Sequence, residues 1–170
     1  MILLLDGRSG SGKTTLSQRL HNLLGWPVIH LEDMYPGWTG LSAGAARVAS
    51  SVIDPSRAPD ERGFLRWDWY ASDFDTWVPT PGGGEGCSLI IEGCGVLTEQ
   101  NIAAARSVGD GEVWGVWLDL CAEERYRRAM DRDDSFAEYW TMWSQQEDAH
   151  YREHRPWLLA DWTINRSLFR

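Results

Sequence analysis

Five short apolar stretches punctuate the chain, at 2–6, 28–31, 88–93, 112–120 and 160–165. The first carries no polar alternation before its terminal acid, the mark of a strand buried on both faces of a parallel sheet. Between stretches the spacing turns helical. Leu16, Leu20, Leu23 and Leu24 predict a helix over 13–24, closed by Gly25 and Pro27. Further helices are predicted near 42–52, 99–107 and 122–132. A long one runs from Ser135 to His154, opened by a Ser135/Glu138 capping box and carrying Phe136, Trp140 and Trp143 as its apolar stripe. Residues 79–86, PTPGGGEG, read as a flexible connector. Strands alternating with helices predict βαβ units around a parallel sheet, in one domain spanning all 170 residues.

The junction of the first strand and first helix is where chemistry enters. Gly7-Arg8-Ser9-Gly10-Ser11-Gly12-Lys13-Thr14, followed by Thr15, satisfies G-x-x-x-x-G-K-[ST] in full. The glycines let the backbone curl so that successive N–H groups converge on phosphate oxygens, and the helix aims its positive end at the same point. Lys13 is expected to reach the β- and γ-phosphates, and the Thr14 hydroxyl to ligate Mg²⁺. ATP and Mg²⁺ are therefore the expected cofactors.

Composition narrows the class. A net charge of -9 argues against general binding to nucleic acid or to a membrane surface. No stretch approaches the ~18 apolar residues of a membrane span. The cysteines Cys87, Cys94 and Cys121 form no C-x-x-C pair, which fits a reducing, cytoplasmic setting. Lys13 is the only lysine among 16 basic residues, so the guanine-reading N-K-x-D of a GTPase cannot exist. A compact ammonium fits among phosphate oxygens where a guanidinium fork is too wide. What remains is a small phosphoryl-transfer enzyme with a small-molecule acceptor.

Candidate acids sit at strand ends, which line the ligand crevice in such sheets. Glu32 or Asp33, after the second strand, can face the γ-phosphate and either deprotonate a hydroxyl or hold Mg²⁺ through water. Glu92, ending LII before Gly93, is the preferred Walker-B-type acid, and Asp119 is read as structural. Of the arginines in 125–132, Arg128 and Arg132 are expected to close over the triphosphate as a short lid. The others are expected to pair with Glu123, Glu124 and Asp131. His150 and His154, spaced i, i+4, are assigned to a solvated helix face.

The segments GRSGSGKTT, HLEDMYPGW, RWDWY, LIIEGCGVL, ERYRRAMDRD and ADWTIN together resemble the uridine kinase and phosphoribulokinase-like branch of P-loop kinases, in particular its compact bacterial members. The resemblance covers nearly the whole chain. It implies a P-loop NTPase three-layer α/β sandwich with strand order 2-3-1-4-5, and an ATP-dependent kinase of a small hydroxyl-bearing metabolite such as a nucleoside. The family's catalytic D-x-F-Y falls on Glu32-Asp33-Met34-Tyr35, so the base is Glu32 or, with a shift of one residue, Asp33, with Tyr35 beside the acceptor. The family's sugar-binding F-D-H-P is similar to Trp67-Asp68-Trp69-Tyr70. It implies that Asp68 holds an acceptor hydroxyl and that Trp67 or Trp69 forms a stacking wall.

Overall fold

The computed structural model describes residues 1–86, 88–109 and 111–165. Strand β1 (Ile2–Gly7) is buried along its whole length and lies at the centre of a five-stranded parallel sheet. Around it stand β2 (Val28–His30), β5 (Leu89–Glu92), β6 (Val113–Asp119) and β7 (Trp162–Asn165), in the order β2-β5-β1-β6-β7. The missing numbers belong to an antiparallel hairpin, β3 (Gly63–Asp68) and β4 (Asp73–Pro79), which forms a separate sheet. The sequence reading did not foresee that hairpin. With it set aside, the five parallel strands run 2-3-1-4-5.

Helices cover both faces, as parallel strands buried on two sides require. On one face, Leu16 and Leu20 of α1 (Lys13–Leu24) pack with Trp26 against Leu3, Leu5, Ile90, Val116 and Leu118. On the other, Ile2, Leu4, Leu89 and Ile91 meet α2 (Leu41–Arg47), α3 (Glu99–Val108) and α5 (Ala137–His154). Between β6 and α5 lies α4 (Ala122–Arg132), and a short α6 (Pro156–Leu159) leads into β7. The fold is a P-loop NTPase three-layer α/β sandwich.

Several local expectations are corrected. Helix α2 runs on into a wide π-type turn, Val48–Val52. The 79–86 connector is a packed turn: Gly83 and Gly84 are buried, and a Cβ on Gly83 would strike the Pro59 carbonyl oxygen. The Ser135/Glu138 capping box does not form. Ser135 donates instead from its N–H (3.0 Å) and Oγ (2.6 Å) to Asp133, in a turn ahead of α5. His150, assigned to solvent, is buried near the Gly95 carbonyl, and burial drops its pKa to about 4. Of the cysteines, Cys94 and Cys121 are free thiols and Cys87 lies outside the described residues.

Arg62 fastens the hairpin base. Its buried guanidinium donates to the carbonyls of Asp54 (2.9 Å), Gly83 (2.8 Å) and Arg57 (3.0 Å), and to Glu85 Oε1 (2.9 Å). Arg62→Ala orphans these acceptors, and urea unfolding should show a loss of about 3 kcal/mol. Arg62→Lys should recover only part of it, because an ammonium cannot fork toward several carbonyls at once.

Candidate functional site

The loop between β1 and α1 opens onto a cleft of about 480 Å³, walled by Ser9, Gly10, Gly12, Lys13, Thr14 and Thr15. Its shape depends on glycine. Gly10 has φ +79°, and a Cβ there would overlap the backbone of Arg125, so the loop can lie flat on α4 only without a side chain. Arg125 returns the contact, donating from Nη1 to the Ser9 carbonyl (3.2 Å) and from Nε to the Leu120 carbonyl (3.1 Å). Its guanidinium is buried and shapes the loop from beneath.

Lys13 is 8% exposed, and its Nζ donates to the Arg8 carbonyl (3.3 Å) and Cys94 Sγ (3.4 Å). Among the described residues no carboxylate comes within ion-pair distance of it. Burial works against its charge, but Cys94, Glu92, Glu147 and Asp6 nearby outweigh that and hold its pKa above 10.5. It is a buried, protonated cation on the wall of a cleft, with carboxylates near it but none in direct contact among the described residues.

Two carboxylates anchor this end. Asp6, fully buried, accepts from the N–H groups of Gly7 (2.6 Å), Gly95 (3.0 Å) and Leu97 (2.8 Å) and from the Tyr151 hydroxyl (3.0 Å). It ties the phosphate loop to the segment that follows β5. Glu147, also fully buried, accepts from the Ser9 N–H (2.7 Å), with Arg8 Nη1 at 3.5 Å and Arg125 Nη1 at 4.0 Å. Arg8 turns toward α5, where it pairs with Asp148 at 2.5 Å, so its guanidinium is not part of the cleft wall as the loop motif had implied. Gly7 and Ser11 also stand behind the wall.

Thr14 and Glu92 do come together. Thr14 Oγ1 donates to Glu92 Oε1 at 3.0 Å, and His30 Nδ1 lies 2.6 Å from the same oxygen. A hydroxyl and a carboxylate side by side at the foot of the phosphate loop are the hard oxygen donors that Mg²⁺ takes. Asp33, the other proposed metal ligand, is absent from the cleft wall. Burial raises its pKa, and Arg66 and His30 are the cations acting on it. Asp119 accepts from the Asn165 side chain at 3.4 Å, consistent with a structural role.

The His30–Glu92 contact has a definite pH signature. Burial pushes the Glu92 carboxyl up, but His30, Lys13 and Thr14 outweigh it and leave it below 4.5. His30 is raised above 6.5, chiefly by its hydrogen bond to Glu92. A raised imidazole stabilises the fold below its unfolded pKa and stops doing so as pH climbs through the folded value. A depressed carboxyl contributes above its unfolded pKa and is lost as pH falls through the folded value. The pair therefore stabilises most between the two, and the melting difference between wild type and His30→Ala should peak near pH ~5–6. It should shrink above neutrality.

The rest of the cleft is aromatic. Tyr35, Trp38, Trp69, Phe136 and Trp143 line it, with Glu32, Gly93, Arg128, Arg132 and Asp133. Trp38 stacks on Tyr139 (4.2 Å, 6°) and Phe136 (5.3 Å, 20°) and tilts against Trp69 (4.8 Å, 52°). Gln146 fixes its backbone, donating to the Trp38 carbonyl at 2.6 Å and accepting from the Leu41 N–H at 3.3 Å. Arg128 and Arg132 lie on the wall, and Arg128 is held by Glu124 at 2.8 Å.

The RWDWY segment splits. Trp69 lines the cleft and donates from Nε1 to the Glu32 carbonyl at 3.2 Å. Trp67 packs edge-on against Phe74 and is not on the wall. Asp68, expected to hold an acceptor hydroxyl, closes the hairpin turn instead, accepting from the N–H groups of Tyr70 (2.7 Å) and Ala71 (3.0 Å). Of the two candidate bases, only Glu32 faces the cleft. Sequence reasoning missed Asp6, His30, Trp38, Arg125 and Glu147 as parts of this site.

No protein-family model matches the chain, and no curated protein matches its sequence. Solved structures do. An uncharacterized protein from Eubacterium ventriosum superposes with a TM-score of 0.51 at 10% identity, covering 98% of this chain and 88% of that one. Shikimate kinase from Acinetobacter baumannii, in complex with shikimate, superposes with a TM-score of 0.50 at 18% identity, covering 96% and 82%. At these identities the likeness establishes the fold, that of P-loop kinases. Among the described residues no helix is long and apolar enough to cross a membrane.

Proposed function

We propose that the chain is an ATP- and Mg²⁺-dependent kinase that phosphorylates a hydroxyl of a small metabolite in the cytoplasm, akin to uridine kinases, with a nucleoside as the first acceptor to try. The observation that carries the reading is Lys13: a protonated, nearly buried ammonium with no carboxylate partner among the described residues, facing a cleft. Carboxylates stand near this charge but none bonds it directly, and a phosphate anion is what the loop is shaped to bring into contact with it.

The residues divide the work. Loop N–H groups and Lys13 grip the phosphates, while Thr14 and Glu92 hold the metal. Mg²⁺ held there would supply positive charge to offset that of the phosphates. Glu32 orients the acceptor hydroxyl and takes its proton as the new O–P bond forms and the bridging bond to ADP breaks. Arg128 and Arg132 neutralise charge on the phosphoryl group in flight.

Incubation with γ-labelled ATP, Mg²⁺ and a panel of nucleosides, sugars, pantothenate and nucleoside monophosphates tests this directly. Label should move to a hydroxyl acceptor. Tight ATP binding with no transfer to any of them would instead mark a nucleotide-sensing protein.

A further inference from the structure

The cleft is chemically lopsided. Its loop end is polar, while five aromatic side chains stand together over the remainder among a few charged ones. Two of their polar handles are engaged: the Tyr35 hydroxyl donates to the Cys94 carbonyl at 2.9 Å, and Trp69 Nε1 to the Glu32 carbonyl. One is not. Trp143, 4% exposed and on the cleft wall, has a buried indole N–H without a hydrogen-bond partner among the described residues. A buried donor left unpaired costs about 1–3 kcal/mol, so it marks a place where a ligand atom with a lone pair belongs.

Charge limits the guest further. Glu32, Glu92 and Asp133 on the wall are matched by Lys13, Arg128 and Arg132, so the cleft gives neither an anion nor a cation a net charge to pair with. An ammonium would be drawn to the aromatic faces, but it cannot accept from the unpaired N–H of Trp143. A polyol would leave the aromatic faces without a matching apolar surface. Asp68, the residue expected to hold an acceptor hydroxyl, is occupied in the hairpin turn.

We infer that the acceptor is a neutral alcohol carrying a flat ring, which lies against the indoles of Trp38 and Trp69 and turns a hydrogen-bond acceptor atom to Trp143. The inference rests on the kinase reading for its hydroxyl but on the aromatic wall for its ring. A nucleoside and a simple aryl alcohol share this chemistry, and the flat wall, the balanced charge and the Trp143 donor together select both over polyols, acids and amino alcohols.

Four probes test it: uridine, 4-methoxybenzyl alcohol, gluconate and choline. Saturation-transfer NMR reads their binding without turnover, and labelled ATP reads phosphate transfer. Binding should be confined to one or both ring-bearing probes. Trp69→Ala should weaken it about tenfold or more, given the worth of one stacked ring, and Trp69→Phe should restore most of the loss. Trp143→Phe, which keeps the ring and removes the N–H, should weaken it severalfold while ATP affinity holds. Preference for gluconate or choline, failure of both ring probes to bind, or indifference to Trp69→Ala overturns the inference and leaves the kinase reading standing. Ring-probe binding lost in Trp69→Ala, with no phosphate transfer to any acceptor, upholds the ring and overturns the kinase.

Discussion

Glu32→Gln is expected to lower kcat by roughly 10²–10⁴ while leaving ATP affinity unchanged, the range lost when a positioned general base is removed. The amide keeps the size and one acceptor oxygen but cannot take a proton. Asp33→Asn should leave kcat near wild type, because Asp33 does not face the cleft. Steady-state kinetics on both variants, with ATP binding measured separately, decides between two adjacent acids that the sequence could not rank. A loss of kcat in Asp33→Asn with none in Glu32→Gln would move the base by one residue.

The largest effect on stability is expected from Asp6→Ala. It removes the common acceptor of three backbone N–H groups and the Tyr151 hydroxyl, all in a fully buried place. Leaving those donors unpaired should cost roughly 3–5 kcal/mol, readable in urea unfolding. Asp6→Asn should cost less, since one oxygen remains to accept. Burial raises the Asp6 pKa while the three N–H groups pull it down. The carboxylate is thus held against its environment by the donors it organises.

What could be read from the sequence was whatever is local or imposed by the sheet. The strand-to-helix switch at Gly7–Lys13 is contiguous, and the meeting of Thr14 with Glu92 follows once β5 lies beside β1, whose loop leads into α1. The hairpin was hidden because its period breaks: the register shifts between Leu65 and Trp67, and most of β4 is not buried, so no clean alternation survives. Asp68 looked chemical because a carboxylate in a family-like segment and a carboxylate in a turn share one letter. Glu147 reaches Ser9 across 138 residues and Arg125 across 116, contacts that no spacing rule encodes. The aromatic wall is likewise assembled from the segment after β2, the turn after β3, and the entry and second turn of α5.

Helix α5 buries Trp143, Glu147, His150 and Tyr151, a stripe at helical spacing. Trp143 stands at the ring-binding wall, and Glu147, one turn later, holds the Ser9 N–H of the phosphate loop. Both ends of the cleft therefore hang from one stiff rod about 6 Å apart along its axis. A tilt of α5 that widened the aromatic wall would also tug on the loop beneath the triphosphate. Whatever seats one substrate thereby sets the frame for the other, and by linkage any such influence runs equally in both directions.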